Sequence, residues 1–399
     1  MRFIFLTLGY HPDLIGGAYR YVTEVTQRLA ASGHRVDVVY PAPAGMTSDS
    51  EIRAGVHLHR YPGASGLFLA NFWRENVAAR TRLQQARDAS PQPALTVLCH
   101  AYFTPALASH AGPVTFLYTG PWAEEFRFSR QSTPRPAWRR WFDELIAQGL
   151  RVMERKALRQ ARRILTISQY YVERLPRWHG DRLPPVTMIS GGVDPGQFQP
   201  AADRGALRAG FGLGASDFLF LTVRRLDPRM GLLALIDGFA AAASDYRHAR
   251  LWIAGQGPQR DALARRIGAV ALEGQVRLLG FVAEQQLPKV FNVADCTVMP
   301  SLDLEGFGLS TVESLACGTP VIGSRAGATP ELLVPLHPAL VFEPGSAAAL
   351  AAKFREVLAG PGWLPNRGQC RDYVLRHYSW QRPVSALEEC HTLLCAGSG

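Results

Sequence analysis

The chain has 399 residues, 47% of them apolar and 19% charged, which excludes a disordered or fibrous protein and is enough for two hydrophobic cores. No apolar run reaches the length of a membrane span, and the apolar run at the N-terminus lacks the small-residue cleavage site of a secretory signal. The six cysteines show neither a C-x-x-C pair nor a zinc-binding spacing, so we expect reduced thiols in a cytoplasmic protein.

The net charge of +10 is concentrated between residues 135 and 163, where nine basic and three acidic side chains leave +6. Trp138, Trp141 and Phe142 lie in the same segment. A basic helix with aromatic side chains is typical of a helix that rests on an anionic membrane, but also of the solvent-exposed side of a core helix. Both interpretations stay open. Nucleic-acid binding is not expected, because no recognition module accompanies the charge.

The first half of the chain alternates strand patterns with amphipathic segments. Residues 2–8 are a short apolar run, residues 19–32 form an amphipathic segment that ends at Gly33, and residues 35–40 are a second apolar run. This order of strand, glycine-containing turn, helix and strand is typical of the start of a doubly wound parallel sheet. Further strands are predicted at 56–61, 95–99 and 114–118.

Loops that follow the strands of such a sheet are candidate binding positions, because ligands bind beyond the carboxyl ends of the strands. Gly16 and Gly17 follow the first strand, and His100 and Thr119 each follow a later one. We expect the His100 and Thr119 loops to face the same crevice. The glycine pair either lets a ligand approach the backbone closely or forms a simple turn.

The second half repeats the alternation, and we place the domain boundary after residue 196. A linker rich in glycine, alanine and arginine is expected near residues 197–215, within a second domain that spans residues 197–379. Strands are predicted at 218–223, 251–254, 276–279, 296–299 and 321–322, and helices at 232–242, at 287–294 and from residue 346 onward.

The most informative stretch runs from Ser301 to Leu333 and contains Glu305 and Glu313, eight residues apart. Between them a glycine loop opens into an apolar-periodic segment. This predicts a helix whose first backbone N–H groups are unpaired and whose start carries partial positive charge, which suits a phosphate. At ~1.5 Å per residue, Glu313 would lie roughly 10 Å from Glu305, about the separation of the two polyhydroxylated ends of a nucleotide sugar. The alternative is a polar loop and an acid in the first turn of an ordinary helix.

The strings EGFG, ACGTPVI and AGATPELL in residues 305–333 resemble the E-x7-E signature of family-four retaining glycosyltransferases. The resemblance covers most of the chain and is dense between Arg225 and Leu333. It implies an α/β protein of the GT-B fold, with two Rossmann-like domains facing a cleft. Residues 1–196 would bind the acceptor and residues 197–379 the nucleotide sugar, while a C-terminal helix at about 380–399 would cross back to the first domain.

The same resemblance implies transfer of a sugar from a UDP- or GDP-linked donor to an acceptor hydroxyl, with retention at the anomeric carbon and without a metal or other cofactor. Glu305 would bind hydroxyls of the donor sugar, Glu313 would bind the ribose, and Arg225 would neutralise the departing diphosphate. The other donor-binding candidates belong to the glycine loop, the turn that reads the nucleobase and the loops of the first domain: Gly306, Phe307, Gly308, Leu309, Phe281, Val282, Gly16, Gly17 and Thr119.

Two positions depart from the family pattern. Met230 stands where the family has a lysine, so that either Arg229, or Arg224 in place of the family glycine, would have to supply the second cation. Thr119 stands where a histidine usually contacts the transferred sugar, and His100 is the candidate catalytic substitute. Loss of a group that contacts the sugar hydroxymethyl would fit a pentose or 6-deoxysugar donor.

Two rival functions remain. A non-catalytic nucleotide-sugar-binding protein of the GT-B fold is the alternative to an enzyme. A dinucleotide oxidoreductase is disfavoured because the first turn lacks the three-glycine fingerprint. The acceptor stays open between a glycan, a lipid-linked sugar and a glycosylated natural product, because first-domain loops vary freely on a shared scaffold. The enzyme is expected in the cytoplasm, and at the membrane if the basic segment binds lipid.

Overall fold

The structure is a computed structural model. It describes residues 1–43, 45–63, 68–108, 110, 112–131, 136–360 and 362–395. These residues form two compact units, of which the first is Met1–Gly191 together with the C-terminal segment from Trp380, and the second is Gly192–Ser379. The boundary predicted from the sequence, after residue 196, lies a few residues further along the chain.

The first unit is built on one eight-stranded sheet. Its strands are β1 (Arg2–Leu6), β2 (Arg35–Pro41), β3 (Ser50–Arg53), β4 (Val56–Tyr61), β5 (Leu95–Leu98), β6 (Val114–Tyr118), β7 (Arg163–Thr166) and β8 (Val186–Met188). They lie in the order β3-β4-β2-β1-β5-β6-β7-β8, and only the β3–β4 pair is antiparallel among the described strands. In the register, Phe3 of β1 lies opposite Val36 and Leu95. Every residue of β1 is buried, as expected of a parallel strand covered on both faces.

Helices connect and cover these strands. They are α1 (Gly17–Ala31), α2 (Phe68–Asp88), α3 (Trp122–Gln131), α4 (Ala137–Gln160) and α5 (Gln169–His179), with a 3₁₀ helix at Ala101–Leu107. Helix α2 was not among the elements that the sequence predicted. Its buried positions include Asn76, Ala79 and Ala86, which are polar or small, so that its apolar periodicity is weak.

The second unit is built on a six-stranded parallel sheet. Its strands are β9 (Phe218–Val223), β10 (Ala249–Ala254), β11 (Val276–Gly280), β12 (Cys296–Met299), β13 (Val321–Ser324) and β14 (Val341–Phe342). They lie in the order β11-β10-β9-β12-β13-β14. The chain therefore builds the sheet outward from β9 in one direction and then continues from β12 in the other. This is the strand order of a doubly wound nucleotide-binding sheet.

The helices of the second unit lie between and after these strands. They are α6 (Arg204–Gly210), α7 (Leu232–Ala243), α8 (Arg260–Ala269), α9 (Leu287–Val293), α10 (Leu309–Ala316), α11 (Thr329–Leu333), α12 (Ala347–Leu358) and α13 (Arg367–His377), with 3₁₀ turns at Pro228–Met230, Glu284–Gln286 and Pro338–Leu340. Phe239 of α7 and Phe354 of α12 pack edge to face in the core, with ring centroids 5.6 Å apart.

The segment predicted to be a linker, residues 197–215, instead contains α6 and belongs to the second unit. Arg208 of α6 is buried and donates hydrogen bonds to the carbonyl oxygen of Val293 (2.6 Å) and to the carboxylate of Asp295 (2.8 Å). The bond to Val293 satisfies a carbonyl group at the end of α9 that the helix itself leaves unpaired. The arginines that suggested a linker therefore attach this segment to the unit.

The last helix, α14 (Gln381–Cys395), belongs to the first unit, as the sequence predicted. Trp380, which precedes it, packs edge to face on Tyr21 of α1 with ring centroids 5.3 Å apart. His34 and Glu388 form a hydrogen bond of 2.8 Å, and Val384 and Leu387 are fully buried. Helix α14 thus completes the core of the unit to which β1 also belongs. No helix in the described part of the chain is both long enough and apolar enough to cross a membrane.

Candidate functional site

The strand order of the second unit places a topological switch point between β9 and β12, which are neighbours in the sheet. The connections leave these two strands toward opposite sides, and the room between them is where ligands bind in open α/β sheets. Arg224 directly follows β9, and the loop from Ser301 to Gly308 follows β12. Ser310 Oγ donates a hydrogen bond to the carbonyl oxygen of Val223 (3.1 Å), which attaches the start of α10 to the end of β9.

Glu305 is buried at this point, and its two carboxylate oxygens differ. Oε2 accepts hydrogen bonds from the guanidinium of Arg224 and from Ser301 Oγ, the latter at 2.9 Å. Oε1 accepts none from any residue that the structure describes, and it lies 3.7 Å from the position that a Cβ on Gly308 would occupy. The carboxylate is therefore fixed through one oxygen and open through the other.

The charge state of Glu305 follows from the same contacts. Burial by itself raises the pKa of the carboxyl group. The positive charges of Arg224 and Arg229 and the hydrogen bonds from Arg224 and Ser301 together lower it by more than burial raises it, so the pKa is below its ordinary value. Glu305 is thus ionised at neutral pH although it is nearly buried. An ionised carboxylate oxygen is a strong acceptor for a ligand hydroxyl.

The backbone around Glu305 is constrained on several sides. Leu304 is buried in the left-handed region at φ 56°, which is unfavourable for a residue with a Cβ. Its carbonyl oxygen accepts a hydrogen bond of 2.6 Å from Arg229, and its N–H donates one of 2.7 Å to Asp303. From the other side, Gly327 approaches so closely that a Cβ there would lie 2.3 Å from the carbonyl oxygen of Glu305. The fold therefore holds a strained backbone to aim one carboxylate.

The glycine loop leads into α10 in the way the sequence predicted. Gly308 precedes the helix at φ 90°, and no side chain caps the first N–H groups of α10. Phe307 is buried against Tyr378, with ring centroids 5.8 Å apart, so the loop is held from behind. Glu313 is buried on α10, about 6 Å along the helix from Leu309 at ~1.5 Å per residue. The start of α10, with its unpaired N–H groups and partial positive charge, lies beside Glu305.

Three arginines around this loop have different surroundings. Arg224 is buried against Glu305, and Arg229 is attached to the carbonyl oxygen of Leu304. Arg225 is exposed and has neither a hydrogen bond nor an ion pair with another described residue. Met230, which stands at the expected lysine position, is buried in the core. Of these three arginines, Arg225 is therefore the one whose guanidinium group has no partner within the described chain.

The turn after β10 supports the backbone of these arginines. A Cβ on Gly255 would lie 1.7 Å from the carbonyl oxygen of Arg224, and one on Gly257 would lie 2.4 Å from that of Leu226. The N–H of Leu226 donates to the carbonyl oxygen of Gln256 (2.9 Å). Only glycine allows so close a backbone approach, so this Gly-Gln-Gly segment fixes residues 224–226 and is a supporting turn. Phe281 and Val282 follow β11, and Phe281 is exposed.

In the first unit, the predicted loops follow β1, β5 and β6, which are consecutive in the sheet. Gly16 and Gly17 lead into α1, His100 follows β5, and half-buried Thr119 follows β6. Because parallel strands end at the same edge of a sheet, these loops share that edge. Glu154 of α4 attaches the loop after Thr119 to the rest of the unit. The oxygens of its carboxyl group accept hydrogen bonds from the N–H groups of Trp122 (2.7 Å) and Ala123 (3.2 Å), at the start of α3.

His100 has a structural task. Its Nδ1 accepts a hydrogen bond from the N–H of Tyr102 (3.1 Å), which caps the 3₁₀ helix, and its ring packs edge to face on Trp122 at 4.9 Å. Burial lowers the pKa of His100 to about 4, so the ring is neutral at pH 7. Since the Nδ1 lone pair is used, the proton of the neutral ring lies on Nε2, and neither nitrogen is ready to accept another.

The sequence reasoning missed three contributors to the site: the pairing of Arg224 with Glu305, the hydrogen bond from Ser301, and Gly327 behind the loop. An arginine at the family's glycine position was a visible signal for the first. Among the residues described, no cluster of histidine, cysteine and acidic side chains could hold a metal ion.

Comparison with known proteins identifies the chain. Residues 15–197 match the model described as Glycosyltransferase Family 4, and residues 203–375 match the one described as Glycosyl transferases group 1. The chain is a glycosyltransferase with the GT-B fold. The two matched ranges of this glycosyltransferase fall within its two compact units except for residues 192–197, which the first match also covers.

Two relatives of this glycosyltransferase align with almost the whole chain. Over 404 residues it is 24% identical to a glycogen synthase of Mycobacterium tuberculosis, covering 98% of this chain and 94% of the relative. A D-inositol 3-phosphate glycosyltransferase of Nocardiopsis dassonvillei is 27% identical, covering 93% and 88%.

Solved structures show the same fold at low identity. Sucrose-phosphate synthase from Thermosynechococcus elongatus superposes with a TM-score of 0.82 at 22% identity, over 100% of both chains. HepE from Anabaena, solved in complex with UDP-glucose, superposes with a TM-score of 0.76 at 18% identity, over 99% of this chain and 100% of that chain.

Proposed function

We propose that this glycosyltransferase moves a sugar from a nucleoside diphosphate sugar to an acceptor hydroxyl with retention at the anomeric carbon, and that the second unit binds the donor. The observation that carries the proposal is the arrangement around Glu305. An ionised carboxylate with one open oxygen lies beside the uncapped start of α10, and Arg225 follows the neighbouring strand. The structure of HepE with UDP-glucose, which shares the fold, supports a nucleotide sugar as the donor.

In this proposal each group has a role that its surroundings suit. Oε1 of Glu305 accepts a hydrogen bond from a hydroxyl of the donor sugar. Arg225 and the backbone N–H groups of Phe307, Gly308 and Leu309 bind the diphosphate. The diphosphate gains negative charge as it departs, so preorganised cations and N–H groups stabilise the transition state more than the ground state. Glu313 binds the ribose. The turn at Phe281 and Val282 reads the edge of a uracil or guanine base.

The chemical step needs no protein base in the front-face mechanism that the family resemblance implies. The bond between the anomeric carbon and the diphosphate oxygen breaks, and a bond to the acceptor oxygen forms on the same face of the sugar. The acceptor's proton goes to the departing phosphate oxygen. This suits a first unit in which Thr119 replaces the usual histidine and the Nδ1 of His100 is engaged in a cap.

The identity of the sugar is a further part of the proposal. A threonine in place of the histidine removes a group that would contact the hydroxymethyl of the transferred sugar. This favours a pentose or a 6-deoxysugar over an ordinary hexose. The first unit is proposed to bind the acceptor, which is a glycan, a lipid-linked sugar or a glycosylated natural product. Its loop at Gly16 and Gly17 is proposed to face the donor phosphate or the acceptor.

A donor panel tests this function. Purified protein is incubated with UDP- and GDP-linked hexoses, pentoses and 6-deoxysugars, and release of the nucleoside diphosphate and the anomeric configuration of the product are measured by NMR. Glu305→Gln is the inactive control. Retention with one donor class supports the proposal, and inversion contradicts it. Binding of a donor with no transfer to any acceptor favours the alternative, a non-catalytic nucleotide-sugar-binding protein.

We also propose that α4 rests on an anionic membrane, where a lipid-linked acceptor would be found. Trp138, Trp141, Phe142 and Leu145 are between 48% and 66% exposed, at the i, i+3, i+4, i+7 spacing of one helix face. This face is opposite the buried one, which includes Ala147 and Leu150. The same helix carries exposed basic side chains, namely Arg139, Arg140, Lys156 and Arg159, whereas Arg135 lies outside the described residues.

Vesicle binding tests this contact. Sedimentation with vesicles containing anionic lipid is expected for the protein and is expected to decrease with salt, since the basic side chains contribute about 1 kcal/mol each near such a surface. Trp138→Ala combined with Trp141→Ala should abolish sedimentation without lowering the melting temperature, because both side chains are exposed. Trp73→Ala, also exposed but on α2, is the matched control. Equal binding by the double variant and the control contradicts the proposal.

A further inference from the structure

We propose that Arg224 positions Glu305 and does not itself bind the donor. In this role it keeps the carboxylate ionised and leaves Oε1 as the oxygen that faces the sugar. The inference rests on the proposed function of Glu305. It differs from the expectation that Arg224 replaces the missing lysine at Met230 as a second cation for the diphosphate.

The first argument is burial. The side chains of Arg224 and Glu305 are 5% and 11% exposed, and they form an ion pair. A charge buried without a partner is unfavourable, so each of these groups depends on the other for its charged state. The positive charge of Arg224 is therefore balanced within the protein before any donor arrives. Arg225, which is exposed and unpaired within the described chain, is the cation left for a diphosphate.

The second argument is rigidity. The backbone of Arg224 is fixed from both sides, because its N–H donates to the carbonyl oxygen of Ala254 (2.9 Å) and its own carbonyl oxygen lies against Gly255. On the other side of the pair, Ser301 Oγ donates to the same oxygen of Glu305 at 2.9 Å. Two donors from two loops thus hold Oε2 in place. Only Oε1 is left for a ligand, which gives the carboxylate a direction as well as a charge.

The third argument is the chemistry of recognition. An ionised carboxylate can only accept hydrogen bonds, so it distinguishes a sugar hydroxyl, which donates, from a group that cannot donate. A protonated Glu305 would lose this discrimination. Without Arg224, burial would raise the pKa of Glu305. Donor binding would then weaken as the pH falls, starting at a higher pH than in the unmodified protein.

The test compares two ligands, the nucleotide sugar and the same nucleoside diphosphate without its sugar. Arg224→Met removes the charge, Arg224→Lys retains it, and Ser301→Ala removes the other donor to Oε2. Arg266→Met is the matched control, because Arg266 forms an ion pair with Asp237 away from the site, on α8 and α7. Dissociation constants are measured by calorimetry at several pH values between about pH 5 and 8.

For Arg224→Met we expect affinity for the nucleotide sugar to fall roughly ten- to a hundredfold, as for loss of a hydrogen bond to a charged group. The loss should grow toward low pH, and affinity for the nucleoside diphosphate should stay within about twofold. Arg224→Lys should recover part of the loss. Ser301→Ala should also raise the pH at which affinity for the nucleotide sugar begins to fall, but by less than Arg224→Met does. The double variant Arg224→Met with Glu305→Gln should be no worse than Glu305→Gln alone, because both changes remove one function.

An equal loss for both ligands would show that Arg224 contacts the diphosphate and would overturn the inference. Unchanged binding of the nucleotide sugar, or additive effects in the double variant, would do the same. If Arg224→Met does not fold, the decision rests on Ser301→Ala. The inference is supported if this variant loses affinity for the nucleotide sugar at a higher pH than the unmodified protein, and it is contradicted if the two lose affinity at the same pH. If the unmodified protein binds the nucleoside diphosphate but no nucleotide sugar, the proposed function itself fails, and this outcome is distinct from the others.

Discussion

Gly327 allows the sharpest test of how the fold aims Glu305. Gly327 has φ 56°, and a Cβ there would lie 2.3 Å from the carbonyl oxygen and 2.5 Å from the nitrogen of Glu305. Gly327→Ala therefore incurs about 1–2 kcal/mol for a left-handed alanine and about 1–3 kcal/mol for overpacking. Because the atoms in the way belong to the backbone of Glu305, relief of the overlap must move the carboxylate. We expect lower stability together with loss of donor binding.

Gly212→Ala is the matched control, because Gly212 lies in the same unit at φ 75° with no atom within 4 Å of its added Cβ. The control should incur only the free-energy cost of an alanine in the left-handed conformation. At about 2–4 °C per kcal/mol for a unit of this size, we expect the melting temperature to fall by about 2–8 °C in the control and by more in Gly327→Ala. Calorimetry gives the melting temperatures, and titration with a nucleotide sugar gives the affinities. If the two variants match in stability and both bind donor normally, Gly327 does not position Glu305.

Three further changes probe other parts of the chain. Arg225→Met should leave stability within about 0.5 kcal/mol because the side chain is exposed, but should weaken calorimetric binding of a nucleoside diphosphate; an unchanged affinity would remove Arg225 from the site. His100→Asn, which retains a cap, should keep the turnover number, whereas His100→Ala should lose about 1 kcal/mol of stability in urea unfolding; loss of turnover in a stable His100→Asn protein would make His100 catalytic. Burial raises the pKa of Glu154 from 4.5 to about 8, so the folded state retains a proton that the unfolded chain has lost, and stability should fall as the pH rises through this range. Glu154→Gln should flatten that dependence in urea unfolding at several pH values, and an unaltered slope would show that Glu154 is not its source.

Much of the fold could be predicted because buried parallel strands are short apolar runs that end at polar or glycine-rich turns. The strands at 56–61, 114–118, 218–223 and 296–299 have the predicted bounds. Helix α2 was missed because three of the positions that it buries, Asn76, Ala79 and Ala86, are polar or small, and this weakens the apolar periodicity that sequence reasoning depends on. Strand β3 was missed because it is a four-residue strand whose residues are exposed or half-buried.

The candidate site could be predicted in position but not in detail. The glycine loop, the helix after it and Glu305 follow from local sequence, and the switch point explains why they lie at a ligand-binding edge. The partners of Glu305 could not be predicted, because Arg224 comes from a strand end eighty-one residues earlier in the chain. Gly327 is a similar case, since its contact with Glu305 depends on the path of the chain after β13. Contacts between distant segments follow from the fold and have no local pattern.

The return of α14 to the first unit has a consequence for how the chain folds during synthesis. The second unit is in effect inserted into the first, between residues 191 and 380. Domains usually fold in the order in which they leave the ribosome. Here the whole of the second unit is synthesised before Trp380 and α14, so Tyr21 of α1 gains its contact with Trp380 only after the second unit has been made. A chain released before α14 is made would therefore contain all of the second unit but not all of the first, and this is the form that chaperones and proteases would meet.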